Sequence, residues 1–294
     1  MKTYLLHCCT VGMIPALFLA VLTHTVKPSD TAVNARVAAL EKRTGGRLGA
    51  AALDTGSGKR IEYRSEERFA MCSTFKFLLA AAVLARVDEN KDFLDRRVPY
   101  GAADLLEYAP VTREHLTEGG MTLSALCAAA IEYSDNTAAN LLLNIVGGPQ
   151  GLTRYLRSLG DSVTRLERNE PSLNSNTPGD IRDTTSPAAM LNTMARLLCG
   201  SRLSSGSRLQ LEDWLVGCTT GAARLRAGFP SGWRVGDKTG TGANNAISDI
   251  AIAWPPGKSP ILAAVYLTDS RSARSEGEAI IAEVGKIIAS EFSQ

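Results

Sequence analysis

Ser73-Thr74-Phe75-Lys76, followed at once by Phe77-Leu78-Leu79-Ala80-Ala81-Ala82-Val83-Leu84-Ala85, is the stretch from which the fold and the chemistry are read. The run after Lys76 is rich in helix formers and apolar on every side, which predicts a buried helix. Ser73 then sits at the helix N-terminus, where free N–H groups and the positive dipole end favour developing negative charge. Lys76 lies three residues on, along the same face, so that hydroxyl and amine can meet. A serine acts as a nucleophile when a base is at hand, and a lysine in a dry site has its pKa lowered towards that use. Alone, the same four residues read first as a capping serine beside a solvated lysine, so the choice rests on the rest of the chain.

Outward from this stretch, the signals are helical from about residue 65 to residue 218. Helices are predicted from about Thr122 to Ile131, through Leu141, Leu142 and Ile145 up to Gly147-Gly148, and from Ser186-Pro187 to Gly200. Tyr133-Ser134-Asp135-Asn136 is a short break between the first two. Residues 165–185 hold Pro171, Pro178 and Gly179 and read as a long irregular loop, of the kind that is usually functional in a compact domain. At the two ends of the chain the character is different. A helix over Asp30–Arg43 precedes a hairpin of Leu48–Leu53 and Ile61–Tyr63 across Asp54-Thr55-Gly56-Ser57-Gly58. Trp233–Gly240, Ile247–Trp254 and Ile261–Thr268 read as a meander of strands, and Ser275–Phe292 as a last helix with Ile280, Ile281, Val284, Ile287 and Ile288 on one face. The predicted fold is α/β (α+β): an antiparallel five-stranded sheet flanked by helices, with an all-helical domain inserted. Residues 29–64 with 219–294 form the discontinuous α/β domain and 65–218 the helical one, leaving a cleft between them as the binding site.

The 294 residues carry 32 lysines and arginines against 30 acidic residues, and no basic stripe marks a nucleic-acid partner. Lys2 and the apolar stretch from about Thr10 to Leu22 predict a signal peptide over residues 1–28, too short to span a bilayer comfortably. No stable membrane anchor is expected after its cleavage; an uncleaved anchor is the alternative. Cys72, Cys127, Cys199 and Cys218 remain, with no C-x-x-C pair and no zinc spacing. His7 and His24 fall in or near the signal, and His115 alone builds neither a metal site nor a Ser-His-Asp triad. Gly257-Lys258-Ser259 imitates the end of a phosphate loop, but Ile252 stands where its first glycine belongs. No cofactor and no metal are expected.

Four features stand in order: Ser73-x-x-Lys76, Ser134-Asp135-Asn136, Glu170-Pro171-Ser172-Leu173-Asn174 and Lys238-Thr239-Gly240. Each alone is weak. Together, with these separations, they make the mature chain resemble the class A β-lactamases; Ser-x-x-Lys, Ser-Asp-Asn and Lys-Thr-Gly are marks of that family and of the penicillin-binding proteins. The resemblance implies the fold those proteins share and hydrolysis of penicillins and cephalosporins through a serine acyl-enzyme. It makes Ser73 the nucleophile, Lys76 a helper in its deprotonation, Ser134 the proton donor to the leaving nitrogen, and Glu170 with Asn174 the activators of a hydrolytic water. It places the oxyanion hole at the N–H groups of Ser73 and Thr241, and the substrate's side-chain amide on Asn136. The substrate carboxylate falls to Lys238, Thr239, Gly240 and Thr241.

Where many relatives carry an arginine on the next strand, this chain has Ala246-Ile247-Ser248, and Arg224 matches the position some relatives use instead. Tyr108 matches the aromatic at the cleft mouth. Arg168 and Asp183 resemble the pair that closes the loop carrying Glu170; if exposed, such a pair is worth about 1 kcal/mol or less, and its value is geometric. Cys127 faces Ala80 at the position of a common disulfide partner, and Gly242 stands where carbapenem-hydrolysing relatives pair a cysteine with Cys72. The resemblance also implies β-lactams and β-lactamase inhibitors as partners, a monomer, and a periplasmic or secreted bacterial location. The rival enzyme is a penicillin-binding D,D-peptidase, which lacks the carboxylate at Glu170. A β-lactam sensor and a general esterase are weaker rivals, since every catalytic position is filled and no G-x-S-x-G occurs.

Overall fold

A computed structural model describes residues 28–293; the predicted signal peptide, with His7 and His24, lies outside the described residues, the first residue of the leading helix apart. In chain order the elements are α1 (Pro28–Thr44), β1 (Arg47–Asp54), β2 (Arg60–Tyr63), β3 (Phe69–Ala70), α2 (Phe75–Asp88), β4 (Arg97–Pro99), α3 (Pro110–Glu114), β5 (Gly120–Thr122), α4 (Leu123–Glu132), α5 (Asn136–Val146), α6 (Gly148–Ser158), β6 (Thr184–Thr185), α7 (Pro187–Met194), α8 (Ser205–Val216), α9 (Leu225–Gly228), β7 (Arg234–Thr241), β8 (Ile247–Trp254), β9 (Ile261–Thr268) and α10 (Arg274–Phe292). Among the described residues no helix is long and apolar enough to cross a membrane.

The strands form a five-stranded sheet in the order β2-β1-β9-β8-β7, antiparallel throughout. The central strand β9 is buried along its whole length. Its alternation sends side chains to two different cores. Ile261, Ala263, Val265 and Leu267 meet Val33 and Val37 of α1 and Ile280, Ile281, Val284 and Ile288 of α10. Leu262, Ala264 and Tyr266 meet the helical layer, whose centre is α2 with Leu78, Leu79, Val83 and Leu84 fully buried. Burying one such side chain contributes about 2 kcal/mol, so a helix apolar on all sides has its stable place only inside other helices.

The structure corrects the sequence reading in places. The segment between residues 65 and 218 is not purely helical: β3 pairs with β6 and β4 with β5. These strands are two or three residues long, below the length at which alternation is visible. Gly147-Gly148 ends α5 but does not end helix, because α6 starts at Gly148 with Pro149 in its first turn. α7 stops at Met194 and continues to Cys199 as a π-helical turn.

β7 pairs only with β8, so its other side is a free edge. That edge lies beside the turn that opens α2. Gly240 makes the approach close: a Cβ there would stand 2.7 Å from the Met71 carbonyl oxygen. The glycine of Lys-Thr-Gly is thus a packing requirement of the site.

Candidate active site

Ser73 lies in a 3-10 turn, Cys72–Thr74, that runs straight into α2. The turn starts from a left-handed Cys72, φ 46°. One helical turn on, the Lys76 side chain is fully buried, as is that of Glu170. Its Nζ donates to Ser134 O at 2.7 Å and to Asn136 Oδ1 at 2.6 Å. It also lies 3.4 Å from Ser134 Oγ and 3.2 Å from Glu170 Oε1. The expected meeting of the Ser73 hydroxyl with the Lys76 amine is not made. The hydroxyl instead reaches Glu170 Oε1 at 3.5 Å, while the buried amine is drawn to full-valence oxygen acceptors. Burial pushes the Lys76 pKa down and the Glu170 carboxylate opposes that shift.

Ser134 stands between two helices with φ 59°. The break exists because Asp135 caps α5, its Oδ1 accepting from Ala138 N at 2.9 Å. The same buried carboxylate accepts from the N–H groups of Val111 and Thr112 and from the Thr112 hydroxyl. It thereby ties the loop of Tyr108 to the site, and Asn136 N donates to Tyr108 O at 3.1 Å. Ser134 Oγ accepts from Lys238 Nζ at 3.0 Å, so this hydroxyl sits between two lysines. Lys238 is fully buried, and burial pushes its pKa down to about 8.

Glu170 is held from three sides. Asn174 Nδ2 donates to Oε2 at 2.5 Å. Asn140, which sequence reasoning did not single out, accepts from the Glu170 N–H and donates to its carbonyl, both at 3.0 Å. Lys76 holds Oε1. Arg168 Nε meets Asp183 Oδ2 at 2.5 Å, and Asp183 Oδ1 also accepts from the N–H groups of Glu167 and Arg168.

Asp183 is fully buried and Arg168 mostly so, so the condition under which this pair would be weak is not met. Asp183→Asn keeps the acceptor but removes the charge that these donors share. We expect a loss of about 2 kcal/mol in urea unfolding, together with slower turnover. Unchanged unfolding and unchanged turnover would count against it.

A cavity of about 260 Å³ joins Ser73, Tyr108, Ser134, Asn136, Asn174, Thr220, Arg224, Thr239, Thr241 and Arg274. Tyr108 is 52 % exposed at its mouth. Thr239 and Thr220 share a hydroxyl–hydroxyl bond at 2.6 Å. Arg224 is 2 % exposed. Its guanidinium donates to Gly240 O and Ser248 O at 2.8 Å, to Thr241 Oγ1 at 2.9 Å and to Glu278 Oε1 at 3.0 Å. Although it comes from the loop before α9, it bonds to the carbonyl of Ser248 on β8, in the stretch Ala246-Ile247-Ser248 that carries no arginine of its own. Thr220, Arg274 and Glu278 were invisible in sequence reasoning because no motif marks them. Thr220 reaches the site by its bond to Thr239, Glu278 by its bond to Arg224, and Arg274 lies 3.5 Å from Thr241 Oγ1. Cys72, Cys127, Cys199 and Cys218 are all free thiols.

The family model described as the β-lactamase enzyme family matches residues 32–292. The L2 β-lactamase of Stenotrophomonas maltophilia is 50% identical over 263 residues, 88% of this chain and 86% of that protein. The carbapenem-hydrolyzing β-lactamase KPC of Klebsiella oxytoca is 48% identical over 251 residues, 85% of each. Among solved structures, the class A β-lactamase of the last common ancestor of Gram-negative bacteria superposes with TM-score 0.87 at 59% identity, over 89% of this chain and 99% of that one. With that sheet, that cavity and those relatives in agreement, the chain belongs to the β-lactamase enzyme family, and within it to class A, the serine hydrolases that open β-lactams.

Proposed function

We propose that this enzyme hydrolyses penicillins and cephalosporins through an ester on Ser73. The observation that carries the reading is the contact of Ser73 Oγ with Glu170 Oε1, a carboxylate that Lys76 and Asn174 hold in place. In the first step the Ser73 oxygen attacks the lactam carbonyl and its proton passes to Glu170, the one group its hydroxyl contacts. Lys76 Nζ holds Glu170 Oε1 in place at 3.2 Å. The carbonyl oxygen gathers charge against the N–H groups of Ser73 and Thr241, donors each worth about 3 kcal/mol in such sites. As the C–N bond breaks, Ser134 Oγ gives its proton to the nitrogen, Lys76 replaces that proton, and Glu170 passes the proton it took from Ser73 on to Lys76, which frees the carboxylate for the second step.

In the second step a water loses its proton to Glu170 and attacks the ester. Asn174 supports this: its Oδ1 is buried with no partner and is an acceptor for the second hydrogen of that water. The presence of both Glu170 and Asn174 favours a hydrolase over a D,D-peptidase, which would stop at the ester. Lys238, Thr239 and Thr241, backed by Arg224, offer a cationic, hydroxyl-lined seat for the substrate carboxylate. Gly240 admits the substrate edge-on to β7, and Asn136 offers its amide to the substrate side chain. Residues 29–64 with 219–294 and residues 65–218 would be the two walls of the cleft. The signal segment supports a periplasmic or secreted location, and Arg224 beside Thr241 supports binding of mechanism-based inhibitors. The test is steady-state turnover of benzylpenicillin and a chromogenic cephalosporin. Sustained hydrolysis of both is expected; a single burst without turnover would make the protein a peptidase or a sensor.

A further inference from the structure

Two carboxyl groups behind the carboxylate seat take no part in these steps. In the β7–β8 ladder Thr239 stands opposite Asp249, and Asp237 opposite Ala251. Asp237 and Asp249 are therefore diagonal neighbours on one face of the sheet, the face away from Lys238. Both are fully buried. Each gives one oxygen to α9. Asp237 Oδ1 accepts from Arg226 Nε at 2.8 Å and Nη2 at 2.5 Å. Asp249 Oδ2 accepts the N–H of Leu225 at 3.0 Å. Their other oxygens, Asp237 Oδ2 and Asp249 Oδ1, are buried with no hydrogen-bond partner. Gly221 closes over the first of them, since a Cβ there would stand 1.7 Å from Asp237 Oδ2.

Such acceptors on neighbouring buried carboxyls are costly; the Cys218 thiol faces Asp237, and a proton on Asp249 turns an acceptor into a donor. We propose that Asp237 and Asp249 hold a single proton, carried by Asp249, and that the pair positions Arg224 and Lys238 for the substrate carboxylate. The proposal rests on the reading that these two cations bind that group. Asp249 fixes Leu225, the residue after Arg224, and Asp237 fixes Arg226 in the same helical turn. Together they seat the short helix α9, and Arg224, the residue just before it, bonds to Gly240 O, Ser248 O and Thr241 Oγ1. Burial raises both carboxyl pKa values, and the charge of Asp237 adds to the rise at Asp249. The other groups facing the pair are the cations Arg224, Arg226 and Lys238, the Cys218 thiol, kept neutral by burial, and Glu278 on α10 across Arg224. One negative charge thus backs Lys238 from behind the strand.

The experiment uses the whole enzyme and the variants Asp249→Asn, Asp249→Ala and Asp237→Asn/Asp249→Asn. An asparagine amide accepts from Leu225 and donates to Asp237, as the protonated acid does. Asp249→Ala is expected to raise KM for benzylpenicillin about tenfold, with kcat less affected, and Asp249→Asn to restore KM to within about twofold. KM rises on the alkaline side as Lys238 loses its proton. That rise stays in place in Asp249→Asn, which keeps the single charge, and moves to lower pH by about one unit in the double variant.

Two readouts do not need activity. A carboxylic C=O infrared band is present in the parent at neutral pH and missing from Asp249→Asn. The raised carboxyl contributes its full stability below the unfolded pKa and loses it as pH rises through the folded value. The Tm of Asp249→Asn therefore gains on the parent as pH rises. No carboxylic band in the parent, or an alkaline KM rise that Asp249→Asn alone displaces, would overturn the proposal. If the parent turns over no β-lactam, the functional reading fails while the infrared and Tm results still decide the dyad.

Discussion

Replacing Glu170 with alanine is expected to leave an enzyme that takes up one β-lactam and keeps it. The water loses its only anionic partner, so deacylation falls by about 10²–10⁴-fold, the usual worth of a positioned general base. Acylation is expected to fall less. Burial already pushes the Lys76 pKa down, and Glu170 is the chief influence holding it up. Without that carboxylate the amine more readily gives up its proton and becomes a base three residues from the serine. It also keeps its bonds to Ser134 O and Asn136 Oδ1, which limits the loss of stability. Mass spectrometry after brief mixing with benzylpenicillin should show the protein heavier by one intact substrate, persisting for minutes. Equal slowing of both steps would remove Glu170 from the second step in particular and assign it to holding Lys76.

Replacing Ser73 with alanine should abolish turnover, a loss on the order of 10⁶-fold in kcat if the hydroxyl forms the covalent bond. Substrate should still bind, because Lys238, Thr239 and Arg224 owe their positions to bonds that Ser73 does not make. The sharper form of the prediction is non-additivity. Adding Lys76→Ala to Ser73→Ala should cost almost nothing further in residual turnover, since the lysine acts through the serine. No adduct should form with any β-lactam. Residual turnover that the second substitution lowers further would point to direct attack of water on the lactam carbonyl, with no ester.

The elements that sequence alone determined are those whose signal is local. The helix after Lys76 is apolar on every side, and no arrangement but burial suits it. The strands of the meander announce themselves by β-branched runs between turns. The four motifs are readable because each occupies neighbouring residues. The structure brings Ser73, Ser134 and Thr241 to one cavity, with Lys76, Glu170 and Lys238 buried behind it and bonded to those serines.

What the tertiary structure alone decided is which atom touches which. Ser73 meets Glu170 and not Lys76, because a buried amine goes to the oxygens that satisfy it. Asp183 is a buried anchor and not a surface partner, because the irregular loop folds over it. Arg274 and Thr220 carry no motif and reach the site from elements far along the chain, and Asn140, one helical turn after Asn136 on α5, is marked by none either. Asp237 and Asp249 look like ordinary strand carboxylates until the register sets them side by side in a dry interior. Propensity and periodicity act within a few residues along the chain; burial, charge and hydrogen-bond partners belong to the packed whole, and those are the quantities that set the chemistry.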